Sequence, residues 1–198
     1  MNFKSKTLLV AASVFALSSA KANDSALKTF AEEKLQAILS DSIVVDSIKA
    51  QNEAHSNLDQ SQIDSLDLQW RAEVDGQSGD LIEKTLASPL SDYLLAALEE
   101  GEGLYTEIFV MDNRGLNVGQ SGLTSDYWQG DESKWQETFL VGGNAIHTSD
   151  IEFDESSQTY QLQVSISVVD PDSNAVIGAA TFGVNAEALQ MISLDDLN

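Results

Sequence analysis

Apolar side chains recur along the first half of the chain at steps of three and four, and along the second half at steps of two. From Asn23 to Asn57 the residues Leu27, Phe30, Leu35, Ile38, Leu39 and Ile43 keep the helical period with no Pro or Gly between them. This predicts one long helix with a narrow apolar stripe, capped at its start by Asp24 or Ser25. Such a helix packs along a domain or pairs with a second helix. Ser61–Val74 repeats the period through Ile63, Leu66, Leu68 or Trp70, and Val74. Gly76–Asp80 interrupts it. Ser78 or Asp80 then starts a short helix through Leu86, and Ser88-Pro89 opens another, with Leu90, Tyr93, Leu94, Ala97 and Leu98 on its apolar side. Gly101-Glu102-Gly103 ends the helical half.

The period then changes. Tyr105–Met111 reads as a strand, Asp112–Gly115 as a turn in which Gly115 supplies positive φ, and Leu116–Gly119 as the returning strand of a hairpin. A polar connector, TSDYWQGDESKWQ (Thr124–Gln136), carries two of the three tryptophans of the chain. A short helix near Lys134–Leu140, a turn at Gly142–Asn144 and a short strand at Ile151–Phe153 follow. Tyr160–Val169 alternates cleanly, with Tyr160, Leu162, Val164, Ile166 and Val168 on one side and Gln161, Gln163, Ser165 and Ser167 on the other. Asp170–Asn174 turns the chain into a last strand, Val176–Val184, and Ala186–Ile192 reads as a closing helix. Five strands joined mainly by hairpins predict an α+β fold: an antiparallel sheet with a long N-terminal helix and short helices segregated from it.

Residues 1–22 stand apart. Lys4 and Lys6 precede the apolar run Leu8–Leu17, and Ala20-Lys21-Ala22 completes the pattern of a cleavable secretory signal. The run is shorter than the roughly 20 residues a membrane span needs. Cleavage leaves residues 23–198 as one domain: a helix over 23–58 and a body over 60–198. It also leaves 7 Lys and Arg against 32 Asp and Glu, a net charge of −25. A surface this acidic repels nucleic acid and anionic lipid. With no Cys in the chain, disulfides contribute nothing and the core must suffice alone. The expectation is an exported, periplasmic, soluble protein.

The order EIFVMDNRGLNVGQS, then TSDYWQGDESKW, then FDESSQTYQLQVSISVVDPDSNAVIGAATFGVN resembles the Cache (PDC) family of extracytoplasmic PAS-like sensor domains, over about residues 60–190. The D-x-x-G turn, the acidic-aromatic crossover and the paired final strands carry the resemblance. It implies a five-stranded antiparallel PAS-like sheet beneath a long helix, with a small-molecule pocket between sheet and crossover. Family members drive a membrane receptor, kinase or cyclase. Here a cleavable signal and no output domain imply that any signal passes through a separate membrane partner. The arginine and W-Y motif of the amino-acid-binding subset is not present.

If the crossover covers the sheet, Trp128 and Trp135, with Tyr127 beside them, wall a cavity in which Asp126 or Glu132 meets a positive group. Indole faces attract cations by about 0.5–2 kcal/mol, and a carboxylate adds charge-assisted bonding. Glu107 is expected on the same strand face as Tyr105, Phe109 and Met111, as a pocket-floor carboxylate or at a solvated strand edge. Ser165 belongs to a polar sheet face that either meets ligand or faces water, and Asp154 starts a loop near the crossover. Glu107, Phe109, Asp126, Tyr127, Trp128, Trp135, Asp154 and Ser165 are thus the candidate ligand-binding residues. Arg114 and Lys134 are the only Lys or Arg after residue 100, which disfavours anionic ligands.

No cofactor or metal is expected. Asp170–Asn174 begins like a calcium loop, but its sixth position is Ala175 rather than Gly and its twelfth is Thr181 rather than Glu. Neither a Cys nucleophile, a G-x-S-x-G elbow nor a glycine-rich phosphate loop is present, so the reading is non-enzymatic. The leading expectation is a sensor module for a small polar or cationic molecule, with a homodimer seam on the N-terminal helix. The alternative is an envelope accessory or assembly protein whose pocket is filled by side chains.

Overall fold

The computed structural model describes residues 27–154 and 158–189. The signal segment, the start of the first helix with Asp24 and Ser25, and the end of the closing helix lie outside the described residues. The helical half begins with residues 27–39 (α1), which hold a π-helical stretch at Ala31–Leu35. The single unbroken helix expected from the stripe is interrupted at Asp41, whose backbone is extended (φ −64°, ψ 140°) and whose carboxylate accepts from the Ile43 N–H at 2.9 Å. A capping carboxylate competes with helix continuation at that point and starts a second helix, Ser42–Ala54 (α2). The apolar stripe survives the break. Leu35, Leu39, Val44, Val45 and Ile48 are all buried against the sheet of the same chain, so the surface read as a dimer seam is occupied internally.

Gln60–Gly76 (α3) starts with a capping box between Asp59 and Gln62 and ends at Gln77 in the left-handed region. Asp80–Leu86 (α4) receives its cap from a neighbour: the Glu73 carboxylate of α3 accepts from the Leu81 and Ile82 N–H groups at 3.0 and 2.9 Å. Pro89–Glu100 (α5) is capped by Ser88. The last helical element before the edge strands is the short Ser133–Gln136 (α6).

The sheet holds Tyr105–Met111 (β1), Asn117–Gln120 (β2), Ile146–Thr148 (β3), Glu152–Asp154 (β4), Thr159–Val169 (β5) and Val176–Asn185 (β6). Its order is β2-β1-β6-β5-β3, with β4 also pairing β5, and each pairing is antiparallel. β3 is the strand the sequence pattern leaves as loop. One side of the sheet carries Ile108, Val110, Leu162, Val164, Ile166, Phe182 and Val184 and forms the main core with α1, α2 and α5. The other side faces the crossover, residues 121–145, where Phe109, Met111 and Ala179 meet Trp135 and Phe139. A third cluster, Ile63, Trp70, Ile82, Leu116 and Tyr127, joins α3 and α4 to the crossover. No helix among the described residues is long and apolar enough to cross a membrane.

Candidate functional site

At the β1–β2 end of the sheet, a cleft of about 330 Å³ is lined by Leu98, Thr106, Glu107, Ile108, Phe109, Ser121, Leu123, Thr124 and Gln161. The register of β1 on β6 shifts between Tyr105 and Glu107, and such a shift re-aims side chains. Tyr105 therefore packs in the main core against Phe182 at 5.7 Å. It is not on the face shared by Phe109 and Met111, as strict alternation required. Glu107 is half-buried, and its Oε1 accepts from Gln163 Nε2 at 2.8 Å. Opposite it stands Gly183, where an added Cβ would press on Glu107 Cγ at 2.7 Å, so the carboxylate leans across a backbone with no side chain in its way.

The cleft wall is tied down from behind. Ser121 Oγ accepts from the Ile108 N–H at 2.8 Å. The Thr124 carbonyl accepts from Trp70 Nε1 of α3 at 2.9 Å, and its hydroxyl donates to the Asp126 carbonyl at 2.8 Å. From there the crossover is latched to α3. Asp67 Oδ1 accepts from both the Tyr127 and Trp128 N–H groups (2.9 and 3.0 Å), while its Oδ2 accepts from Arg71 Nε at 2.7 Å. Arg71 also pairs with Asp126 at 2.8 Å. Tyr127 stacks on Trp70 with ring centroids 5.2 Å apart, and burial, followed by the negative charge of Asp112, pushes its phenol well above the ordinary tyrosine value.

These contacts account for large aromatics in a connector. Tyr127 and Trp128 clamp the segment to the helices, and Trp128 Nε1 donates to the Arg114 carbonyl at 2.8 Å. Trp135 turns the other way, onto the sheet: it is buried with Phe109 and Met111, stacks on Phe139 at 5.0 Å and donates from Nε1 to the Asp112 carbonyl at 3.1 Å. Lys134 Nζ lies 5.5 Å from the Phe109 ring centroid and pairs with Glu132 at 2.9 Å.

Of the candidate residues, the structure brings Glu107 and Phe109 together in the cleft, with Trp135 beside Phe109. Asp126, Tyr127 and Trp128 face α3. Ser165 is fully buried on β5 and bonded to Thr181 across the sheet at 2.9 Å. Asp154 ends β4, paired to Thr159. Residue-by-residue reading missed Leu98, Ser121, Leu123 and Thr124, whereas Gln161 belongs to the polar β5 face that it had set out as meeting either ligand or water. Ser121–Thr124 follows the hairpin directly, and that position next to β1 was the available signal. Among the described residues no group of three or more His, Cys, Asp or Glu is placed to hold a metal ion. The oxygens of Asp170, first residue of the calcium-loop-like stretch, accept from Ser173 Oγ, the Asp172 N–H and Lys49 Nζ.

No family model matches the sequence, and no curated protein matches it. Solved structures similar to this one include the ligand-binding domain of the Campylobacter jejuni chemoreceptor Tlp3 in complex with 4-methylisoleucine. That match has 14% identity, 83% of this chain and 65% of that one covered, and a TM-score of 0.39. Another is the ligand-binding domain of the Pseudomonas aeruginosa PAO1 amino-acid chemoreceptor PctC in complex with GABA (11%, 90% and 62%, TM-score 0.41). A third is the sensor domain of the V. cholerae histidine kinase DctB (15%, 87% and 59%, TM-score 0.36). The chain spans less than two thirds of the length of each of these proteins.

Proposed function

We propose that the protein is a periplasmic small-molecule-binding sensor module, exported by a cleaved signal, that takes a small cationic or polar ligand and acts through a separate membrane partner such as a receptor, kinase or cyclase. The observation that carries this reading is the cleft at the β1–β2 end, with a half-buried Glu107 carboxylate beside the Phe109 ring. The Glu107 carboxylate takes one neutral amide bond from Gln163, and its remaining acceptor sites suit a charge-assisted bond from an ammonium group. Net charge −22 over the chain favours the arrival of cations. This moves the ligand contacts from the Trp128–Asp126 side of the crossover to the Glu107–Phe109 side.

The test is a thermal-shift comparison of residues 23–198 with small amines, carboxylates and sugars. One amine class is expected to stabilise the fold by roughly 2–3 kcal/mol at a hundredfold excess over its dissociation constant. Glu107→Gln should abolish that response with the unliganded melting temperature little changed. An amine response that survives Glu107→Gln, or a response to carboxylates alone, overturns the reading. A second reading has its own support. Phe109, Met111, Trp135 and Ala179 fill the centre of the crossover side with hydrocarbon, as an envelope accessory protein with a filled pocket would. A melting temperature indifferent to all three classes favours it.

A further inference from the structure

The turn between β1 and β2, residues 112–117, is gripped from two sides. From the end of α2, Gln51 Nε2 donates to Asp112 Oδ2 (3.0 Å) and to the Asn117 carbonyl (3.1 Å), and His55 Nδ1 lies 2.9 Å from the same Oδ2. The turn reaches back: the Asn113 N–H donates to Asn52 Oδ1 at 2.8 Å, and the Arg114 guanidinium donates to the carbonyls of Ser56 and Leu58 at 2.8 and 3.1 Å. From the crossover, Trp135 Nε1 donates to the Asp112 carbonyl (3.1 Å) and Trp128 Nε1 to the Arg114 carbonyl (2.8 Å). The Gln129 N–H donates to the Gly115 carbonyl (2.7 Å), and the Asn117 N–H to the Tyr127 carbonyl (2.9 Å).

Asp112 lies at the centre and is fully buried. Its Oδ1 accepts from the Arg114 and Leu116 N–H groups at 2.8 and 3.0 Å, which sets the shape of the turn, while its Oδ2 meets Gln51 of α2 and His55, the residue that caps the end of α2. One carboxylate therefore serves the turn and the helix together. If the turn changes shape, Oδ1 and Oδ2 move as one rigid group, and the bonds to Gln51 and His55 are disturbed with it. Gly115 leaves no slack on the crossover side: its φ is +80°, and a Cβ there would come within 2.6 Å of Gly130.

We propose that this turn is a coupling element that passes displacement of the crossover to the C-terminal end of α2, with Asp112 as its pivot. The coupling belongs to the unliganded protein and stands or falls independently of what the cleft binds. A hairpin that is merely well packed makes a different prediction, because loosening it stays local.

Hydrogen exchange on the full mature chain separates the two. Trp135→Phe keeps an aromatic ring against Phe109 and Met111 and removes the Nε1 donor to Asp112 together with the five-membered ring that carries it. It should accelerate exchange of the amides at residues 51–58 by about fivefold, the factor that one lost neutral hydrogen bond corresponds to, and leave residues 44–48 unchanged. A two-way coupling element also predicts that Gln51→Ala, made from the other side, accelerates exchange at residues 133–139. Acceleration confined to the neighbourhood of the substitution, or spread evenly over all of α2 as global destabilisation would spread it, overturns the proposal. If Trp135→Phe does not fold, the Gln51→Ala experiment decides alone.

Discussion

Asp67 shows how much one side chain can settle. On α3 it stands on the same stripe as Ile63, Trp70 and Val74, a charge among apolar positions; it is buried, and its carboxylate accepts from two consecutive backbone N–H groups of the crossover and from Arg71. Without it, the buried Tyr127 N–H has no acceptor there and Arg71 keeps only Asp126. Asp67→Ala should therefore cost roughly 2–4 kcal/mol in urea unfolding, well above what an exposed helical Asp contributes; a loss under about 0.5 kcal/mol would refute the latch. The sequence contained the ingredients of this contact but not their pairing. Tyr127 and Trp128 lie in a connector without period, so nothing local says which way each ring turns. Trp135, one helical turn before Phe139, lies against the sheet because a short apolar face has only the sheet to bury against.

At the scale of elements, periodicity was a good guide wherever an element has an apolar side. The hairpin, the alternation of β5 and the starts of α3 and α5 follow from spacing and caps that local chemistry enforces, while α4 takes its cap from Glu73 of α3. The misses have physical reasons. The stripe of the first helix continues through Asp41 because both halves pack on one sheet, so spacing concealed a break that a single capping carboxylate creates. β3 is three residues long and exists because β5 offers it an edge, a tertiary cause that so short a stretch cannot announce. Ser165 and Ser167 look solvated by polarity but are buried, because Thr181 and the Gly142 carbonyl satisfy their hydroxyls. The β5–β6 turn also ties elements together. Bonds from Ser173, then the Asp172 N–H, with a smaller contribution from Lys49 of α2, hold the Asp170 carboxyl below its ordinary value of 3.8. A carboxyl depressed in the folded state stabilises above the unfolded value and loses that contribution as pH falls through the folded one. Asp170→Asn should accordingly be less stable than the parent at about pH 6–7, with the gap closing below about pH 4; denaturation curves showing an undiminished gap at about pH 3 would contradict this.

For the molecule as a whole, two sides of one sheet have been given different work. One side is hydrocarbon closed by α1, α2 and α5. The other is partly closed by Trp135 and left open beside Glu107, under a crossover fastened to α3 and to the β1–β2 turn. On the proposed reading, the acidic surface favours the approach of cations and the cleft beside Glu107 holds one. The most direct test is an amide chemical-shift titration of the mature protein with the small amine that stabilises it most. The account predicts saturable shifts at Glu107, Phe109, Leu123 and Gln161, with Tyr127 and Trp128 much less affected. Shifts centred on Asp126–Trp128, or none that saturate at any site, would contradict it.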